Sequence, residues 1–130
     1  MKVPANLKYA KSDEWVKVKG NIATIGVTDY AQSQLSDIVY FEFKVDQGET
    51  VSKDSAVATL ESVKAAADVN TPVTGVVIEL NESLVDEFES VNTDPYEAAW
   101  MVKIELADPA ELDTLMDAAA YEKYCEERSH

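Results

Sequence analysis

Turn-forming residues cut this chain into short β-rich runs, and nothing between Glu14 and Leu106 has the length or periodicity of a long helix. That punctuation restricts the fold severely. Short strands at regular spacing, without crossover helices, close as a small barrel or sandwich. In "EWVKVKGNIATIGV", Val16 and Val18 alternate with Lys17 and Lys19, Gly20-Asn21 supplies a turn that accepts positive φ, and Ile22 to Val27 returns as the second arm of a hairpin. "TDYAQSQL" reads as a short helix near 29–35, capped by Thr28 or Asp29. In "DIVYFEFKV", Val39, Phe41, Phe43 and Val45 fall on one face of a half-buried strand. Between Thr50 and Asn81 come "TV", "AVATLESV", "ADV" and "VTGVVIEL", separated by Ser52–Ser55, Asn70-Thr71-Pro72 and Gly75. The acidic stretch from Asn81 to Trp100, with Pro95, predicts a loop with a helical turn, and "MVKIEL" predicts a last strand. Asp108-Pro109-Ala110-Glu111 has the Asp cap and first-turn proline of a helix start. It opens a helical extension over about 108–127, broken near Asp117. Its stripe of Leu112, Leu115, Met116, Tyr121, Tyr124 and Cys125 is expected to pack on the β body. The 130 residues are expected to form one domain, 1–130, mainly β.

Charge and rare residues narrow the chemistry. A net charge of −14 repels nucleic-acid phosphate and anionic lipid, so neither a nucleic acid nor a membrane is expected as partner. Cys125 is the only cysteine, which favours an intracellular, reducing compartment. His130, the only histidine, is the last residue. Together these counts argue against Cys/His zinc sites and against Ser-His-Asp or Cys-His catalysis, and no metal site is expected. No apolar run has the length of a membrane span, and "MKVPANLKYAK" lacks the core of a signal peptide.

Within this acidic chain, "TLESVKAAADVNTP" holds Lys64, the only cation from Asp54 to Val102. A turn lysine is ordinarily a solvated charge. "ESVKAAAD" could also be a helix, with Glu61 and Lys64 paired at i, i+3. The β-branched run before it and the Val69 to Pro72 stop after it leave little more than two turns for that helix. They fit a tight hairpin corner better. In a corner, Ala65, Ala66 and Ala67 present no bulk to an approaching active site, and a rigid sheet would present the amine. Those are the properties of a lysine placed to be modified.

"ESVKAAAD" resembles the lipoyl-attachment motif of the glycine cleavage system H proteins. "SDEWVKV", "ATIGVTDYAQSQL", "DIVYFE", "NTPVTGVVIELNESL", "VNTDPYEAAWMVKIEL" and "ELDTLMDAAAYEKYCEE" resemble further segments of that family in the same order, from Leu7 to Glu127. The resemblance implies a lipoyl-domain-like barrel-sandwich hybrid of two small sheets. It implies lipoic acid in amide linkage to Lys64, attached by lipoate-attaching enzymes. It further implies a monomeric carrier without catalytic residues of its own. By the same resemblance, glycine decarboxylase, with its pyridoxal phosphate, loads the aminomethyl group of glycine onto the lipoyl sulfur. The aminomethyltransferase passes the carbon to tetrahydrofolate, and dihydrolipoamide dehydrogenase, with FAD and NAD, reoxidises the arm. Matching positions give Ser12, Glu14 and Asp68 as contacts for the loaded arm in a cleft. The implied location is the bacterial cytoplasm, or the mitochondrial matrix if a transit peptide has been removed.

The chain departs from the family pattern at Asp13, usually His, at Ser36 and Asp54, usually turn glycines, and at Ala99, usually Gly. Residues with a Cβ are disfavoured where φ is positive, so these turns are expected to differ locally, and Asp13 adds charge beside the cleft. Other readings compete. A lipoyl module of a 2-oxo acid dehydrogenase would carry a flexible linker, and a biotin carrier would have methionines in place of Val63 and Ala65. A non-lipoylated acidic interaction module remains open. So does an H-like relay that donates lipoate to other carrier domains, because it needs the same lysine and hairpin.

Overall fold

The computed structural model describes residues 1–128; His130 lies outside the described residues. Among the described residues, nine strands form two antiparallel sheets. The larger has the order β1-β2-β3-β9-β8-β5, formed by Lys8–Tyr9 (β1), Glu14–Lys19 (β2), Ile22–Val27 (β3), Val102–Leu106 (β9), Gly75–Leu80 (β8) and Thr50–Val51 (β5). The smaller has the order β4-β6-β7, formed by Ile38–Phe43, Ala56–Ser62 and Ala66–Asn70. The molecule is thus mainly β with two sheets, as the turn punctuation requires. Both sheets contribute to one core that includes Ile25, Phe41, Leu60, Val77, Met101 and Ile104.

The N-terminal hairpin pairs Glu14 with Val27 and Lys19 with Ile22, and Gly20 turns the chain at φ 62°. Val18, alternating in the sequence, is nonetheless exposed near the hairpin tip. Trp15 is buried with its indole N–H donating to the Pro95 carbonyl at 3.0 Å. It lies so close to Gly26 that a Cβ there would sit 2.8 Å from the ring, so the cross-strand partner has to be glycine.

One face assignment is corrected at the start of β4. A β-bulge between Ile38 and Tyr40 shifts the alternation by one residue. Ile38 is therefore buried and Val39 is 50% exposed, while Phe41 keeps the inward face and Phe43 packs edge-on against it at 4.8 Å.

Helix α1, Asp29–Leu35, starts at Thr28, whose hydroxyl accepts from the Ala31 N–H at 3.2 Å. The acidic connection folds as a 3₁₀ turn, Glu82–Val85, and a short helix, Ser90–Thr93 (α2). The C-terminal extension has two parts. Pro109–Thr114 is a 3₁₀ helix, anchored where Glu111 accepts from the Thr74 N–H and hydroxyl at 2.7 and 2.8 Å. Helix α3, Ala118–Arg128, begins after Asp117, which caps the Ala120 N–H at 2.8 Å. Tyr121 of α3 stacks on Tyr9 with centroids 4.7 Å apart and joins a second, aromatic cluster with Trp15 and Tyr30. No helix among the described residues is long and apolar enough to cross a membrane.

Candidate functional site

Lys64 stands in the turn between β6 and β7, and the helical alternative for "ESVKAAAD" is overturned. The ladder pairs Thr59 with Asp68 and Glu61 with Ala66, so β7 begins two residues after the lysine. Alanine's helix propensity, a few tenths of a kcal/mol per residue over β-tolerant alternatives, is outweighed by strand pairing. Ser62 organises the turn: its hydroxyl oxygen accepts from the N–H groups of Lys64 and Ala65 at 3.1 and 3.0 Å, and its N–H donates to the Ala65 carbonyl at 2.8 Å. The Val63 N–H donates to the Asp37 carbonyl at 3.1 Å, tying the corner to the chain entering β4. Val63, Lys64, Ala65 and Ala66 are all exposed. Among the described residues no carboxylate lies within 4.0 Å of the Lys64 ammonium. A hydrogen-bonded turn thus holds out an amine that makes no ion pair among the described residues.

Further along the hairpin is a cleft of about 190 Å³. Ser12, Glu14 and Asp68, the three residues expected around a loaded arm, all line it. Its remaining walls are largely apolar: Val27, Leu35, Leu60 and Val69 among them. Asp68 is four residues from Lys64, which along a strand is roughly 13 Å. Asp68 is half exposed, ion-paired to Lys44 at 3.4 Å, and accepts from the Thr59 hydroxyl at 3.2 Å. A larger recess of about 310 Å³, between Tyr9, Lys53 and Met116, shares only Ser12 with the cleft.

Glu14 is no ordinary surface acid: it is 1% exposed. The Ser12 hydroxyl donates to one carboxyl oxygen and the Asn70 N–H to the other, the latter at 3.1 Å. Burial pushes its carboxyl up to about 7, against the lowering effect of those two hydrogen bonds, with Asp13 adding a smaller upward push. A buried carboxyl near neutrality, in a cleft with apolar walls, suits a ligand that is mostly apolar and carries a cation at its tip.

Sequence reasoning missed what stands behind the cleft. Asp13, at φ 74°, accepts from both guanidinium nitrogens of Arg128, at 2.6 and 3.1 Å, and from the Tyr121 hydroxyl at 2.8 Å. Arg128 is the only arginine of the chain, which was the available signal. Ser36 and Asp54 also hold positive φ, 65° and 73°, so the expected local change at these turns is not seen in φ: both adopt a glycine-like conformation despite the Cβ. Ala99 is fully buried at ordinary φ.

A family profile described as "Glycine cleavage H-protein" matches residues 7–128. A glycine cleavage system H protein of Brevibacillus brevis is 48% identical over 127 residues, covering 98% of this chain and 100% of that one. The mitochondrial glycine cleavage system H protein 2 of Arabidopsis thaliana is 50% identical over 122 residues, covering 94% of this chain and 78% of its own. Among solved structures, a glycine cleavage system H protein from Mycobacterium marinum superposes with a TM-score of 0.84 at 26% identity, covering 98% of this chain and all of that one.

Proposed function

We infer the role of this chain from its family: it belongs to the glycine cleavage H-proteins and is a lipoyl carrier of the glycine cleavage system. The single observation that carries the attachment site is Lys64, exposed and without an ion pair among the described residues, on a hydrogen-bonded hairpin turn. Lipoate would be joined there by its carboxyl, as an amide. The attached group supplies a disulfide–dithiol pair able to hold a one-carbon amine on sulfur, chemistry that no side chain here provides.

The residues of the chain fit such a group. The alanines after Lys64 leave room for an attaching enzyme, and the turn bonds fix the point of attachment. The apolar walls of the cleft would shelter the arm from water. Glu14 would hold the ammonium of a loaded arm by a charge-assisted hydrogen bond, Ser12 would orient the Glu14 carboxyl, and Asp68 would add negative charge at the more solvated side. The chain acts by holding and delivering, so the bond-making belongs to its partners. Those are a pyridoxal-phosphate glycine decarboxylase, a tetrahydrofolate-dependent aminomethyltransferase and a flavin- and NAD-dependent dihydrolipoamide dehydrogenase. A monomer fits the strongly repulsive surface charge. Its relatives include bacterial and mitochondrial proteins, and either the cytoplasm of a bacterium or the mitochondrial matrix would be its place of work.

Incubation with lipoate, ATP and a lipoate ligase, followed by peptide mapping, should place one lipoyl group on Lys64 and none on Lys64→Arg. Modification persisting in that variant would overturn the assignment. Reconstitution with the partner enzymes should then support glycine cleavage. Transfer of lipoate to other carrier domains without glycine cleavage would instead mark the chain as a relay.

A further inference from the structure

The last turn of α3 reaches across the molecule to the loop that forms one wall of the cleft. Arg128 grips both oxygens of Asp13, its guanidinium lying 4.4 Å from the Tyr30 ring and 4.1 Å from the Tyr124 ring. Such a fork, with two aromatic rings against the guanidinium, is directional, and its side chains are only partly exposed to water, at 29% for Arg128 and 19% for Asp13. Asp13 also bonds the Tyr121 hydroxyl, which in turn shares a 2.6 Å hydrogen bond with the Thr28 hydroxyl. The Asp13 carbonyl accepts from the Thr28 N–H at 3.0 Å, and Thr28 caps α1. Loop Ser12–Glu14 and helix α1, two walls of the cleft, are therefore joined at one point, and α3 clamps that point.

We propose that Arg128 is a positioning residue for the cleft: by its fork to Asp13 it fixes the Ser12–Glu14 wall and screens the Asp13 charge, and so sets how long a loaded arm is protected. Protection of the arm by the cleft is the reading given above. The effect of Arg128 on Glu14 can be measured without any arm.

Asp13 holds the left-handed conformation, a costly one for a residue with a Cβ, and the fork and the Tyr121 bond hold it there. Without Arg128 the side chain can rotate outward and carry Ser12 and Glu14 with it. The Asp13 charge would also lie uncompensated next to Glu14. The charged and titratable groups around Glu14 are Asp13 beside it, Asp68 from β7, and, behind Asp13, Arg128 and Tyr121 from α3; the lining residues of α1 are Ala31, Gln34 and Leu35, which carry no charge.

The test compares the parent with Arg128→Gln, Arg128→Lys and the double variant Asp13→Asn/Arg128→Gln. In unlipoylated protein, carbon-detected NMR follows the Glu14 carboxyl against pH. Its midpoint should rise in Arg128→Gln, because an unscreened Asp13 disfavours the Glu14 carboxylate, and should return towards the parent value in the double variant. In lipoylated protein, the extent of modification at Lys64 is quantified first. Water should then cleave the loaded arm to formaldehyde, ammonia and the free dithiol roughly three- to tenfold faster in Arg128→Gln, about the net worth of one ordinary hydrogen bond. Arg128→Lys, which keeps the charge but loses the fork, should fall between. A lower melting temperature in Arg128→Gln with an unmoved Glu14 midpoint and an unchanged lifetime would reduce Arg128 to a structural residue and overturn the proposal. If the parent arm is no better protected than that of Glu14→Gln, protection by the cleft fails as a reading, and the titration in unlipoylated protein still decides whether Arg128 acts on Glu14.

Discussion

Glu14 changes charge within the neutral range, and that makes its environment measurable. Burial pushes its carboxyl up to about 7, from 4.5 for an ordinary glutamate. A folded-state value raised above the unfolded one favours the native state below about pH 4.5, and that advantage is lost as pH rises through 7. Glu14→Gln removes the dependence. Between pH 5 and 7 the parent should therefore lose stability relative to Glu14→Gln by roughly 1 kcal/mol per pH unit, which paired denaturant titrations would read. A docked ammonium reverses the preference by favouring the carboxylate. Protection of the loaded arm relative to Glu14→Gln should accordingly weaken as pH falls below about 7, and an equal ratio at every pH would count against Glu14 as the cation's partner. Lys64 should behave oppositely in folding. Exposed and outside any ion pair, it can be replaced by alanine within about 0.5 kcal/mol of the parent stability, and a large drop in melting temperature would show that it supports the turn.

At the scale of elements, three residues with a Cβ, Asp13, Ser36 and Asp54, hold backbone conformations that favour glycine. Ser36 ends α1 at φ 65°, ψ −152°, a region that belongs almost entirely to glycine. Ser36→Gly should raise stability by about 1 kcal/mol in chemical denaturation without touching the cleft. Gly75 shows the reverse constraint: a Cβ there would meet the Glu105 carbonyl oxygen at 2.0 Å, so Gly75→Ala should separate β8 from β9 and cost several kcal/mol. The elements themselves were legible because turn residues and alternation are local signals. The hairpin 14–27, α1 with its Thr28 cap and the Lys64 corner all follow from neighbours in sequence. The bulge that turns Val39 outward leaves no such mark, since an extra residue in a strand is defined only by its partner. The burial of Glu14 was equally hidden, because Asn70, Asp68 and α1 assemble around it from distant parts of the chain. The three cleft residues were named through resemblance. Arg128 was not, although a single arginine aligned with Tyr121 and Tyr124 on one helix could have drawn notice.

The whole molecule carries −14, and its partners have to find it in salt. Steered association weakens as exposed charges are screened, over a Debye length of about 8 Å at physiological ionic strength. If glycine decarboxylase is the loading partner proposed above, its rate of arm loading at subsaturating carrier should fall as salt rises, and a flat profile would make apolar docking the dominant contribution. The strand order of the larger sheet has a different consequence, one of time. β9, the last strand made, lies between β3 and β8 and bonds to both. During synthesis β3 and β8 must each wait with an open edge, while the smaller sheet of β4, β6 and β7, which carries the Lys64 turn, has all of its strand partners within residues 38–70. The strand pairing around the Lys64 turn is thus complete on a nascent chain whose larger sheet is still in two pieces, and a chain cut short before Val102 would expose the open edges of β3 and β8 to aggregation.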